Sequence, residues 1–243
     1  MYTYQEKRKR SRGRKAIIWI IAVLVLLVAL DFGAKAFAEN EAAVQIQKQG
    51  FPKKPTVSIA GFPFLTQVIT RDFHQITISS AGVKEGPVTI TKLNVVATQV
   101  KLNSSFNGGT TGPLHGTVLI SLGELSSVLS AAGPIASFLG GGSGGGLKIQ
   151  AVGSNELKGS LNLLGGTVSD SATWRVVSAG PNEIDLQLVQ HSGSLPGNFL
   201  SSAQNIKIPL KSLPAGLKLT GQISSSSGGI VAHVSANSLA FGS

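Results

Sequence analysis

The sequence contains no cysteine, and only 6% of its residues are aromatic and 13% charged. The absence of cysteine excludes disulfides, thiolate metal sites, a cysteine nucleophile and a lipid anchor on an N-terminal cysteine. An exported chain without disulfides is stabilised by its core alone. With 243 residues, 42% of them hydrophobic, the chain is long enough to bury a substantial core.

The net charge of +10 is concentrated at the N-terminus. Residues 1–15 hold seven of the 21 Lys and Arg residues and one acidic residue, Glu6. The rest of the chain carries 14 basic and 10 acidic side chains, so it is sparsely charged and mildly basic. A nucleic-acid-binding domain needs a dense basic stripe on its folded part. We therefore predict no nucleic-acid partner.

Motifs for catalysis or metal binding are weak. None of the four histidines has a second ligand at metal-binding spacing: His74, His115, His191 and His233. Asp72 and His74 are the residue types of a general base and a carboxylate that orients it. However, they are explained more simply as polar residues on the exposed face of a strand. Ser143 lies in a G-x-S-x-G match, yet its glycine neighbours cannot hold a strained nucleophile. We predict no enzyme activity, catalytic residue, metal or cofactor.

The N-terminus has the layout of an export signal. Residues 16–30 are uncharged and directly follow the basic residues 1–15. By the positive-inside rule the basic segment stays in the cytoplasm, so the chain after Leu30 faces outward. We expect residues 39–243 to form an extracytoplasmic domain.

The sequence leaves open whether residues 16–38 are a retained membrane anchor or a cleaved signal peptide. Fifteen apolar residues span only about 22 Å as a helix, against about 30 Å for a hydrocarbon core. Extending the helix to Ala38 adds Asp31 and Lys35, which we expect to pair near the outer interface. However, Ala36-Phe37-Ala38 fits an A-x-A cleavage site.

The remaining chain reads as α+β, with a curled antiparallel sheet packed around helices. The clearest strand alternation is at residues 184–188. The predicted helices are 36–49, 122–139 and 196–204, and Gly/Ser-rich residues 140–146 and 224–229 are predicted to be flexible. The predicted strands are 55–60, 72–79, 87–102, 147–152, 157–164, 167–178, 183–190, 205–210, 216–223 and 230–240.

A short apolar segment, GFPFLTQ, follows the first predicted strand. We call residues 61–67 the elbow, because Gly61 and Pro63 favour a turn there. Five apolar residues in and after it form what we call the elbow cluster: Phe62, Phe64, Leu65, Val68 and Ile69. Their composition allows two interpretations, ordinary core or contact with an apolar ligand.

The elbow and its surroundings resemble the LmeA family of actinobacterial envelope proteins, over about residues 15–240. The elbow is the most specific element of this resemblance. The other matching segments are the basic-then-apolar N-terminus, residues 49–51, 56–59, 72–78, 83–100, 213–217 and 230–234.

This resemblance implies a non-catalytic phospholipid-binding protein that supports envelope lipid or lipoglycan (mannan) assembly or lipid transfer. The implied fold is a highly curved antiparallel sheet wrapped around a long helix, similar to tubular lipid-binding proteins of the bactericidal/permeability-increasing type. The elbow cluster then becomes the expected lipid contact. The implied partners are phospholipid, the plasma membrane and envelope glycolipid-assembly enzymes.

The implied location is the extracytoplasmic face of the plasma membrane, either anchored there or released after cleavage. Two other functions remain open. One is a structural or scaffolding envelope protein whose interior is filled with side chains. The other is an envelope hydrolase or accessory enzyme.

Overall fold

The computed structural model describes residues 12–48, 51–131, 146–163, 168–193, 204–210 and 213–242. Its first element is one long helix, α1, Arg12–Lys48. No proline interrupts this segment, and Ala and Leu, both strong helix formers, are frequent in it. The predicted membrane segment and the predicted helix 36–49 are therefore parts of one continuous element.

A large antiparallel sheet follows, with strand order β1-β2-β5-β7-β14-β13. Two short strands are attached at its side, where β6 pairs with β5 and with β15. The bounds are β1 Thr56–Ala60, β2 Asp72–Ser80, β5 Lys92–Leu102, β6 Gly109–Thr111, β7 Leu114–Ser121, β13 Lys218–Ser226, β14 Gly229–Ala236 and β15 Leu239–Phe241. Buried and more exposed side chains alternate along most of β5, so one face of this strand points to the core.

A smaller antiparallel sheet has the order β12-β11-β10-β9-β8. Its strands are β8 Gly146–Ala151, β9 Glu156–Leu163, β10 Val168–Gly180, β11 Glu183–Ser192 and β12 Asn205–Pro209. On its exposed edge Lys207 donates a hydrogen bond of 3.0 Å to Oε1 of Glu183, and that hydrogen bond raises the pKa of Lys207. An exposed pair of this kind contributes little to stability.

The remaining elements are short. They are the helices α2 Phe64–Thr70 and α3 Leu122–Ala131, a 3₁₀ turn at Pro214–Gly216, and a hairpin of β3 Val83–Glu85 and β4 Val88–Ile90. The helix α3 contacts strands of both sheets, and β13 packs against β10. Both sheets therefore share one hydrophobic core, in which Leu125, Leu129 and Trp174 are almost fully buried.

The α+β class predicted from the sequence is confirmed. The predicted strand 87–102 is divided at Thr91 into β4 and β5, and Ser224–Gly229 is the turn end of the β13–β14 hairpin. Predicted helix 122–139 begins as α3, while residues 132–139, 140–145 and 196–203 lie outside the described residues. The wrapping of the sheet around the long helix stays a prediction, since the main contacts of α1 are with β1 and α2.

Candidate lipid-contact site

The elbow connects strand β1 to helix α2 beside the long helix α1. Strand β1 ends at Ala60, and Gly61 turns the chain with a φ of +104°, a conformation that side-chain-bearing residues rarely adopt. Helix α2 then begins at Phe64 and ends at Thr70, before the chain returns as β2. The sequence did not predict this helix, because seven residues are too few to show a helical period.

The structure divides the elbow cluster into an inner and an outer part. Phe64 is 3% exposed, and its ring centroid lies 6.1 Å from that of Phe73 in β2. Val68 is partly buried against the core. In contrast, Phe62, Leu65 and Ile69 are 63%, 38% and 79% exposed, and we call these three the outer elbow residues. Leu65 and Ile69 share one face of α2 because they are four residues apart.

Asp31 of α1 fixes the elbow in place. Its Oδ2 accepts a hydrogen bond from the backbone N–H of Phe64 at 2.9 Å, and its Oδ1 accepts one from that of Leu65 at 2.7 Å. The residue before α2 is Pro63, which provides no side-chain cap. Asp31 therefore supplies the acceptor that a helix N-terminus requires, from more than 30 residues away in the chain. We call these two hydrogen bonds the Asp31 clamp.

The partner of Asp31 differs from the one that the sequence suggested. The expected Asp31–Lys35 pair is not formed, and the Asp31 oxygens accept instead from the backbone N–H groups at the start of α2. Nζ of Lys35 lies instead 3.8 Å from Oε1 of Glu39. That oxygen also accepts a hydrogen bond of 2.7 Å from the backbone N–H of Ile59. Acidic side chains of α1 therefore hold both α2 and the edge strand β1.

A ring contact adds to the attachment of the elbow to α1. The rings of Phe32 and Phe62 are stacked, with their centroids 6.1 Å apart. Phe32 is itself 59% exposed. An apolar surface thus continues from α1 across Phe32 and Phe62 to the outer face of α2.

Gln67 joins the elbow to the large sheet from the other side. Its side chain is buried, its Nε2 donates to the carbonyl of Ala60 at 3.2 Å, and its Oε1 accepts from the backbone N–H of His74 at 3.3 Å. His74 also has Nδ1 3.4 Å from the same oxygen, while Asp72 is exposed. The Asp72–His74 arrangement considered from the sequence thus has no support in these contacts.

The sequence reasoning missed both Asp31 and Gln67 as determinants of the site. A usable signal was present, because an acidic residue within a long apolar helix is costly and normally has a specific partner. Gln67 is a polar residue between Leu65 and Val68 of the elbow cluster, next to Thr66. Neither signal names the partner, which depends on the contact between α1 and the elbow.

We expect Gly61→Ala to loosen the elbow. A Cβ at position 61 would lie 2.6 Å from Nε2 of Gln67, and the φ of +104° would strain any L side chain. The predicted loss of stability is about 1–3 kcal/mol, the range for strain at such a backbone position. Thermal unfolding of the full chain measures the loss. Gly180→Ala is the control, since its Cβ would meet nothing within 4 Å although its φ is also positive. An equal loss in both variants would contradict the role of Gln67.

The long apolar helix and a comparison with known protein families give two further observations on the site. Residues Ile17–Lys48 are long and apolar enough to cross a membrane. The LmeA-like phospholipid-binding family matches residues 29–235, which is most of the chain. The chain belongs to this family. Comparison with curated proteins gives no significant match, and neither does comparison with solved structures.

Membership of the family supports lipid binding and agrees with the resemblance found in the sequence. The matched region includes Asp31, the elbow and the strands of both sheets apart from β15 and the last residue of β14, so every contact of the candidate site lies inside it. Its first residue, Ala29, precedes the A-x-A motif at residues 36–38.

An open cleft on the large sheet offers fewer exposed apolar side chains than the elbow. It has a volume of about 410 Å³ and lies across β5, β7, β13 and β14. Its polar lining comes mainly from Asn94, His115, Thr117, Gln222 and His233. Sites for apolar ligands are lined mostly by hydrophobic side chains. The two large apolar side chains in the cleft lining are Val96 and Val234, and Val234 is buried, whereas all three outer elbow residues are exposed. We therefore take the elbow as the candidate for lipid contact.

A histidine–carboxylate pair occurs at a place that the sequence did not indicate. Nε2 of His191 lies 2.6 Å from Oδ1 of Asp170, joining β11 to β10. The two side chains are 17% and 3% exposed, so the pair lies inside the fold rather than in an open cleft. Among the described residues no group of three His, Cys, Asp or Glu side chains could hold a metal ion. We interpret the pair as a structural contact between strands.

Proposed function

We propose that the protein binds phospholipid without catalysing a reaction, at the extracytoplasmic face of the plasma membrane. In this role it supports the assembly or transfer of envelope lipids and lipoglycans, together with glycolipid-assembly enzymes. Membership of the phospholipid-binding family supports the first part. The observation that carries the proposal is the outer elbow, three exposed apolar side chains held beside an apolar helix by the Asp31 clamp.

The elbow cluster contributes to lipid contact in two ways. Phe64 and Val68 pack inward and fix the position of α2. Phe62, Leu65 and Ile69 face outward and make the direct contact with acyl chains. Removing a large apolar side chain from water stabilises a protein by about 1.5–3 kcal/mol. Contact with an apolar ligand therefore stabilises these three side chains relative to their exposure to water.

The size of this gain favours presentation of lipid at the membrane over free transport by the elbow. Three side chains at about 1.5–3 kcal/mol each give at most about 9 kcal/mol. Two acyl chains of about 16 carbons need roughly 25 kcal/mol of burial, at about 0.8 kcal/mol per CH₂. The elbow alone cannot cover a phospholipid in water. A lipid bound there would remain partly in the bilayer.

The direct test is photolabelling of the full chain, reconstituted in phospholipid nanodiscs, by a phospholipid with a photoreactive acyl chain. Leu65→Asp and Ile69→Asp are each expected to reduce labelling of the elbow peptide about tenfold or more, since each loses apolar contact and also places a carboxylate against the acyl chains, a combined cost above about 1.4 kcal/mol. Thr66→Asp is the matched control. It adds the same charge to an exposed position of α2 but leaves the outer elbow residues intact.

Undiminished labelling in variants that keep the wild-type circular dichroism spectrum would contradict the elbow as the lipid contact. If no peptide of the wild-type chain is labelled above background, the result would instead favour the scaffolding function. One observation favours that second candidate, because the described buried residues of both sheets form one core cluster filled by side chains. Co-purification separates the two functions further, since a scaffold would carry no stoichiometric phospholipid.

A further inference from the structure

The cleavage motif at residues 36–38 lies inside a continuous helix. The helix α1 extends from Arg12 to Lys48 without a break at Ala38. Proteolytic cleavage favours exposed, irregular segments, and a bond within a docked helix becomes accessible only after local unfolding. Whether the chain is processed therefore depends on how firmly the helix is held on each side of Ala38.

On the N-terminal side of the motif, the helix is held by the contacts of the elbow. Asp31 accepts the two backbone hydrogen bonds of the clamp and is only 5% exposed. Phe32 stacks on Phe62. Cleavage after Ala38 would separate both residues from the domain. The N–H groups of Phe64 and Leu65 would then lose their acceptor, in a helix whose preceding residue offers none.

On the C-terminal side, the same helix is held by the edge of the large sheet. Glu39 accepts the hydrogen bond of Ile59 in β1. One turn further on, Ala43 is 3% exposed. Ala38 itself is partly buried against the core. The motif is thus flanked on both sides by contacts with the folded domain.

The spacing of charges along α1 suits a helix that remains in the membrane. Lys15 and Asp31 are separated by a rise of about 24 Å, somewhat less than a hydrocarbon core of about 30 Å. With Lys15 at the inner interface, Asp31 would lie about 6 Å below the outer one. A carboxylate at that depth is costly unless its oxygens are satisfied, and the clamp satisfies both. The exposed rings of Phe32 and Phe62 extend the apolar surface around it.

We propose that α1 is retained in the mature protein as its membrane anchor, with the Asp31 clamp docking the anchor onto the domain and protecting the bond after Ala38. The outer elbow residues are then held at the outer surface of the bilayer. The family match supports this, because it begins at Ala29 and so includes the clamp. The proposal does not depend on phospholipid binding, since an anchored scaffold would satisfy it equally.

The test is the intact mass of the full chain, carrying a C-terminal tag and produced in a bacterium with active signal peptidase. Membranes are isolated and the protein is measured under denaturing conditions, so that a cleaved but still bound peptide is also detected. The expected result is a membrane-bound chain that includes residues 1–38. A mature chain that begins at Glu39 would overturn the proposal.

A second pair of samples tests whether the clamp is the reason for retention. Residues 1–50 fused to an unrelated secreted reporter are expected to be cleaved after Ala38, because the reporter lacks the elbow. Asp31→Ala in the native chain is expected to raise the cleaved fraction about tenfold or more, since a buried donor and a partly buried donor lose their acceptors. Lys35→Ala is the control and should leave that fraction unchanged. An uncleaved reporter fusion, or an Asp31→Ala chain as intact as wild type, would contradict the protective role of the clamp.

Discussion

Replacing Asp31 by alanine is expected to detach helix α2 from α1 and to raise hydrogen exchange at the Phe64 and Leu65 amides about hundredfold. Each of these amides donates to an oxygen of Asp31. Leaving a buried donor without a partner costs about 1–3 kcal/mol. The Phe64 amide is buried and the Leu65 amide partly buried, so losing both acceptors costs about 3 kcal/mol. Since every 1.4 kcal/mol is a factor of about ten, the local opening constant rises by about two orders of magnitude.

Hydrogen exchange followed by mass spectrometry on the full chain in nanodiscs measures this effect. Asp31→Asn is the graded variant, because it replaces one of the two accepting oxygens by an NH2 group, which donates and cannot accept from the second amide. It should lie between wild type and Asp31→Ala. Lys35→Ala removes only a partly exposed contact with Glu39 and should change the exchange very little. Unchanged protection of residues 64 and 65 in Asp31→Ala would refute the clamp.

Replacing Trp174 by alanine is expected to produce the largest loss of global stability, about 3–5 kcal/mol, the range for deleting a buried Trp or Phe. Trp174 is 3% exposed in the small sheet. Its ring lies over Gly159 of the neighbouring strand, where a Cβ would come within 2.6 Å of the ring atom Cζ3. The absence of a side chain at position 159 therefore makes room for the ring.

A double-mutant cycle tests this packing in chemical unfolding of the full chain. Gly159→Ala alone should destabilise the chain by about 1–3 kcal/mol through overpacking. In the Trp174→Ala background the same change should cost clearly less, because the atom that it would meet is gone. Additive effects would show that the two positions do not share one space. Exchange at the elbow amides below the unfolding transition should stay as in wild type, because the elbow is held by α1 and the large sheet.

The sequence was most informative where its signal is local. A basic segment before an apolar one predicts an export signal, and alternation in segments such as residues 184–188 identifies strands. The elbow cluster could also be located, because a dense apolar group around Gly61 and Pro63 is visible in one short window. The resemblance of the chain to the family, for which the elbow is the most specific element, was confirmed by the match over residues 29–235.

The sequence was least informative where two distant segments meet. The division of the cluster was not predictable, because Phe64 faces Phe73 while Leu65 faces outward only once α2 is placed on β2. Periodicity within seven residues cannot decide which face is buried. The His191–Asp170 contact likewise requires the pairing of β10 with β11, which places residues 21 positions apart side by side.

By itself, then, the sequence determined the family, the α+β class, the long apolar N-terminal segment and the stretch of chain that carries the candidate site. These properties follow from composition and from patterns within a few residues. The tertiary structure alone decided that Asp31 caps α2, that Phe62, Leu65 and Ile69 face outward, and that the A-x-A motif lies within a docked helix. Each of these depends on hydrogen bonds and burial between segments that are distant in the chain, and no local pattern specifies such partners.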